Sequence, residues 1–230
     1  MRTLGVLGGM SWESTVTYYR SLNQGVRERL GGLHSAPLLI HSVDFAEIAA
    51  QQQSGDWAAA GRSLGQAARG LEVAGAGALL LATNTMHKVA AAIEAVVDIP
   101  LLHIGDAVGE PLRQQGVERA ALLGTRFTMQ EAFYRERLER RFGIEVLVPE
   151  PAAAQEIDRV IFQELCQGRF LPASREFYLA ELEKFRASGA QAAILGCTEI
   201  GLLLEGCESP LPLVDSAERH VAMGLEWVLG

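Results

Sequence analysis

The sequence predicts an α/β protein of two pseudo-symmetric lobes, each a small, mainly parallel sheet flanked by helices, with the active site in the cleft between them. Three observations lead there. Short apolar runs alternate with longer stretches of helical period, the pattern of parallel strands covered by crossover helices. The chain resembles itself at an offset of about 115 residues. Two of the apolar runs, "LLLATNTMHK" and "AAILGCTEIG", end in small polar clusters at matching places in that repeat.

Read in order, "TLGVLG" is the first strand, and "WESTVTYYRSLNQGVRERL" has helical period and is closed by Gly31 and Gly32. "LLIHSV", "ALLLA" and "PLLHI" complete the strands of the first half, and "RAALLG", "EVLVP", "AAILG" and "PLPLV" are those of the second. Thr128 and Glu131 in "TMQE" have the spacing of a capping box before the helix "AFYRERLERRF". Ligands of such sheets gather at the carboxyl ends of the strands.

The repeat rests on three blocks. "LGGMSWESTVTYYR" aligns with "LLGTRFTMQEAFYR", matching Gly9 with Gly124, Tyr19 with Tyr134 and Arg20 with Arg135. "AGAGALLLATNT" aligns with "SGAQAAILGCTE", matching Gly75 with Gly189 and Thr83 with Cys197, and Pro100 aligns with Pro212. Any two βα units share a strand-end glycine, but the common offset and the Tyr-Arg identities favour duplicated lobes.

Composition narrows the function classes. The 230 residues suit one large or two small domains, with 49% hydrophobic and 21% charged residues and a net charge of -8. No basic patch suggests nucleic acid, because "ERLERRFG" interleaves acids on a helix. The apolar runs fall short of the roughly 18 residues of a membrane span, and "MRTLGVLGGMSWE" has no signal pattern, so a cytoplasmic location is expected. Cys166, Cys197 and Cys207 form no C-x-x-C pair and the five histidines no H-x-x-x-H, so neither a disulfide framework nor a metal site is expected. "LGGM" lacks the Gly-x-Gly-x-x-Gly spacing of nicotinamide-binding turns.

The chemistry concentrates at two strand ends. A strand-to-helix turn can bind a carboxylate through its backbone N–H groups, and can lower a thiol pKa from about 8.5. Asn84, Thr85 and Thr198 are candidate carboxylate donors, Cys197 the reactive group, and Glu199 and His87 the titratable neighbours. A free Cys is commonly a buried core residue. The place of Cys197 beside Thr and Glu separates it from Cys166 and Cys207, which are read as structural. His87 is read equally as a site residue or as a cap or packing residue.

"LGGMSWEST", "TNTMH" and "GCTE", in this order along the whole chain, resemble the aspartate/glutamate racemase family. The resemblance implies a first lobe of residues 1–103 and 210–230 with a second, 104–209, inserted before the returning segment. It also implies a cysteine on each side of the cleft, no pyridoxal phosphate or metal, a small amino-acid substrate and a homodimer. Racemisation removes the α-proton from one face and returns one to the other, so an acid and a base stand on opposite sides. By motif, Cys197 is one of the pair, Asn84, Thr85 and Thr198 hold the α-carboxylate, and Met10, Ser11 and Thr125 line the cleft.

Two departures stand out. Thr83 occupies the place of the first-lobe Cys, and a hydroxyl is a far weaker acid than a thiol. The second-lobe thiol of the family meets the L-enantiomer, so an activity skewed to L is expected. "VDFAEIAAQQQSGDW" contains no Arg or Lys to grip a distal carboxylate; Gln52 offers only hydrogen bonds, and Arg169 follows the helix that commonly carries a Lys. Aspartate or glutamate is the first expectation and another small polar amino acid the competitor. The alternatives are a thiol-dependent isomerase or decarboxylase of a small dicarboxylate, or a catalytically weak amino-acid-binding protein.

Overall fold

A computed structural model describes residues 1–230 as eight strands and eleven α-helices. These fall into two units, Met1–Ile104 with His220–Gly230, and Gly105–Arg219. The strands fall on the eight apolar runs.

In the first unit, β1 (Leu4–Gly8), β2 (Leu38–Ser42), β3 (Ala78–Leu81) and β4 (Leu101–Leu102) form a parallel sheet of order β2-β1-β3-β4. Both faces of β1 and β3 are buried, which is why they read as unbroken apolar runs rather than alternating ones. On one face, Leu7, Leu79 and Leu81 pack with Leu64, Ala68 and Leu71 of α3 (Trp57–Val73). Gly61 and Gly65 allow α4 (Ala90–Glu94) and the segment after it to approach: a Cβ on Gly61 would lie 2.9 Å from the Ala92 side chain. The other face is covered by α1 (Trp12–Leu30) and α11 (Ser216–Leu229), where Gly224 sits against Leu80, Leu22 and Leu4. α1 starts on the side-chain cap of Ser11 and ends at Gly31, φ 75°, as the "GG" closure predicts. α2 (Phe45–Ser54) lies between β2 and α3.

The second unit repeats the plan. β5 (Arg119–Gly124), β6 (Glu145–Leu147), β7 (Ala192–Gly196) and β8 (Leu213–Asp215) form a parallel sheet of order β6-β5-β7-β8. Its helices are α5 (Ile104–Gln114), α6 (Arg126–Gln130), α7 (Ala132–Phe142), α8 (Pro151–Gln163), α9 (Pro172–Ala187) and α10 (Thr198–Leu204). Leu123, Leu195, Ile157, Tyr178, Leu182 and Ile200 are the centre of its core. Arg137 holds Asp106 with two bonds of 2.6 and 2.7 Å, and Arg141 adds a third at 2.7 Å, joining α7 to α5.

Three sequence expectations change. The chain returns to the first unit at His220 and not at residue 210, because Leu213–Asp215 hydrogen-bonds to β7 as the outer strand of the second sheet. The helix "AFYRERLERRF" forms as α7, but not from the expected capping box: Thr128 lies inside the short preceding helix α6, whose cap is Thr125, and Glu131, extended (φ -82°, ψ 148°), precedes α7 without a side-chain cap. Strand register also moves one glycine in the repeat. Leu7 pairs with Leu81 and Leu123 with Leu195, so Gly8, not Gly9, shares the position of Gly124.

Candidate active site

Each unit ends its central strands in a polar turn. Two residues beyond the register-matched leucines Leu81 and Leu195 stand Thr83 and Cys197. The equivalence proposed by the repeat is therefore also one of sheet position.

In the first unit, the Thr83 N–H donates to Leu81 O (2.8 Å) and its carbonyl is bound by His87 Nδ1 (2.7 Å). Its side chain is half-buried. Asn84 precedes a 3-10 turn, Thr85–Val89, and both Asn84 and Thr85 are buried. Gln52 brings its amide to 2.8 Å from Met86 Sδ on that turn, and Lys88 lays its ammonium 3.9 Å from the centre of the Trp57 ring. Trp57, the last residue of "VDFAEIAAQQQSGDW", thus carries a cation from that turn. Ser11 caps α1, whereas Met10 is 6% exposed and packs in the core with Leu7 and Ile48. Thr15, which the sequence did not single out, organises the turn: its hydroxyl accepts the Gly9 N–H (2.8 Å) and donates to Ser11 O (2.9 Å).

In the second unit, Cys197 is the N-cap residue of α10. Its thiol donates to Glu199 Oε2 at 2.9 Å, and the Thr198 hydroxyl donates to the same oxygen at 2.7 Å. Burial and the Glu199 carboxylate push the thiol pKa well above its ordinary value, against the lowering expected of a strand-to-helix turn. Desolvation outweighs the few N–H groups of a seven-residue helix. Thr125 caps α6 and lies 3.3 Å from the Thr128 hydroxyl. Ser216, fully buried, donates to Leu195 O (2.7 Å) just before Cys197, and Asp215 Oδ1 accepts the Ala217 and Glu218 N–H groups. The "VDSA" stretch thus fixes the end of β7, a role visible only once β8 is seen to pair there. Cys166 lies exposed in the 3-10 turn Leu165–Gln167, and Arg169 is bonded to Gln163 O.

A matched pair of parallel sheets with a half-buried thiol and carboxylate at one strand end and a threonine at the other defines a class. The Asp/Glu/Hydantoin racemase family model matches residues 7–224, and the chain belongs to that family, named for a kind of isomerase. Two solved structures are similar over 100% of both chains: a candidate Asp/Glu racemase from Yersinia pestis (46% identity, TM-score 0.96) and an aspartate racemase homologue from Pyrococcus horikoshii OT3 (35%, 0.88). The broad specificity amino-acid racemase RacX of Bacillus subtilis (strain 168) is 26% identical over 149 residues, 64% of this chain and 63% of the relative. The match thus spans less than two thirds of that relative's length. No helix is long and apolar enough to cross a membrane.

Proposed function

We propose that the protein is a cofactor-independent amino-acid racemase, acting on aspartate, glutamate or a related small polar amino acid in the cytoplasm, with one proton-transfer group drawn from each unit. The observation that carries the reading is the Cys197–Glu199 contact of 2.9 Å at the strand end equivalent to Thr83. Relatives named as aspartate and amino-acid racemases supply the substrate class. Glu199 accepts the thiol proton as Cys197 becomes the base, and burial makes the thiolate, once formed, a stronger base than an exposed one. Carbanion charge spreads into the α-carboxylate, which Asn84, Thr85 and Thr198 hold together with the backbone N–H groups about them. Met10, packed beside Leu7 and Ile48, backs the site, and Ser11, Gln52 and Thr125 complete the polar lining.

Thr83 makes the two directions unequal. A hydroxyl does not mirror a thiol: on the first unit's side a water held by Thr83 returns the proton to Cα, and takes one from it less readily than a thiolate does. The α-hydrogen of an L-amino acid therefore exchanges through Cys197 faster than that of the D-form. Incubating each enantiomer separately in D₂O and following the α-hydrogen by NMR tests this, and equal exchange from both would refute it. Thermal stabilisation by amino acids without any exchange would replace the enzyme by an amino-acid-binding protein.

A homodimer belongs to the same reading. Trp12, Val16 and Tyr19 of α1 are 64%, 42% and 53% exposed at helical spacing. Asn23 continues this stripe and accepts the Ala36 N–H ahead of the edge strand β2, whose Ile40 is also exposed. Such a patch favours self-association. Light scattering on a Val16→Glu, Tyr19→Glu variant should report half the mass of the unaltered protein; an unchanged mass would remove this face from the interface.

A further inference from the structure

The buried histidine on the Thr83 turn makes two directional bonds of opposite sense. The backbone N–H of Ile104 donates to His87 Nε2 at 3.1 Å, so that nitrogen carries the lone pair. The proton of a neutral ring then resides on Nδ1, which donates to the Thr83 carbonyl at 2.7 Å. A protonated ring would present a donor to the Ile104 donor and forfeit that bond. His87 is 2% exposed, and its ring packs edge-on against His103 (4.4 Å) and His220 (5.5 Å). Tyr18 and the carbonyl of Leu102 bind His220 from α1 and β4. The imidazole thus spans from the second residue after β3 to the second residue after β4, and the Thr83 N–H is separately tied to Leu81.

We propose that His87 is a positioning residue: as a neutral, Nδ1-protonated imidazole, it fixes the Thr83 carbonyl and so sets where the Thr83 hydroxyl meets substrate. This rests on the racemase reading for its kinetic consequence, but not for its structural one. Neither bond is a proton-transfer step, and His87 itself touches no reacting atom. Displacing a reacting group by about 1 Å costs on the order of 10²-fold in rate, so loss of this tether is felt on the Thr83 side of the reaction first.

Two amide variants separate the bonds. In His87→Asn the amide nitrogen replaces Nδ1 and keeps the Thr83 bond while losing that to Ile104. In His87→Gln the amide oxygen replaces Nε2 and keeps the Ile104 bond while losing Thr83. His87→Gln is expected to slow α-hydrogen exchange from the D-enantiomer on the order of 10²-fold and leave the L-enantiomer nearly unchanged. His87→Asn should preserve the ratio of the two. A merely structural histidine would lower both rates together in both variants, and that result overturns the proposal.

A second readout needs no activity. Long-range ¹⁵N–¹H spectra of histidine-labelled protein should show protonated Nδ1 and bare Nε2 for His87, and His87→Gln but not His87→Asn should move the backbone signals of Thr83 and Asn84. The opposite tautomer, or equal shifts in the two variants, overturns the proposal even if every amino acid proves inert. Inertness with the expected spectra would sink the racemase reading and leave the tether standing.

Discussion

After β7 the chain enters α10 at once, and Cys197, Thr198 and Glu199 share one carboxylate oxygen within three residues. After β3 it makes a 3-10 turn instead, and the backbone of Thr83 is tied at both ends, to Leu81 and to His87. Two ends of the same sheet order thus differ in what is tied down: side chains at one, backbone at the other. The second unit presents a thiol hydrogen-bonded to a carboxylate, and the first presents a hydroxyl on a tethered backbone. The two sheets supply equal positions, and local hydrogen bonding makes them unequal.

The largest test of this contrast removes the thiol. Cys197→Ser should lower exchange from the L-enantiomer by about 10⁴-fold, at the upper end for a proton-transfer group, while Cys166→Ser leaves it unchanged. Full activity in the first variant would move the chemistry away from this turn.

Next is a difference in acid stability that belongs to the first unit. Burial lowers the His220 pKa to about 4 from 6.5, the Leu102 carbonyl opposing that shift, and Tyr18 and His87 are the titratable groups against the ring, with His103 beyond His87. The depressed value means that the unfolded chain binds the proton first, so this stability is present above about pH 6.5 and is lost as pH falls towards 4. It amounts to up to roughly 3 kcal/mol. Urea unfolding at pH 7, 5.5 and 4.5 should give falling stability, and His220→Gln should flatten that slope; an unaltered slope in the variant would assign it elsewhere.

A packing contrast is smaller. A methyl on Gly8 would overlap the Thr15 side chain that organises the first turn, whereas one on Gly124 would meet Thr128 and Gly196 O at 3.2 Å. Gly8→Ala is expected to cost about 1–3 kcal/mol and Gly124→Ala less, as read from denaturant midpoints. The reverse order would deny Thr15 its role. Least of all, Thr83→Cys should narrow the gap between the enantiomers, raising D-exchange by about tenfold, the low end for an imperfectly placed base. No change would place the second proton donor on another residue.

The central strands were legible because parallel strands buried on both faces must be apolar throughout, and "ALLL" and "AAIL" say so without tertiary help. The family followed from "TNTMH" and "GCTE" in order. What escaped depends on partners distant in sequence. The place of β8 in the second sheet comes from pairing with β7, which "PLPLV" alone does not name. The split of α6 from α7 turns on one extended residue, Glu131, in a stretch where Thr125 and Thr128 both have cap chemistry. The thiol of Cys197 moves up rather than down because burial exceeds anything the turn offers, and burial is a property of the packed core. His87 was ambiguous because its second partner is a backbone N–H 17 positions away.

The bond from Ser216 to Leu195 carries a lesson for dissection of the chain. Residues near the carboxyl end of the sequence complete the second sheet and brace the strand leading to Cys197 before the chain crosses back. A fragment cut at residue 209 would lose an outer strand and the brace together, whereas one ending at Arg219 retains both. The two repeats are therefore unequal as modules: the second is one continuous stretch of chain, and the first is two pieces, with α11 running across the boundary.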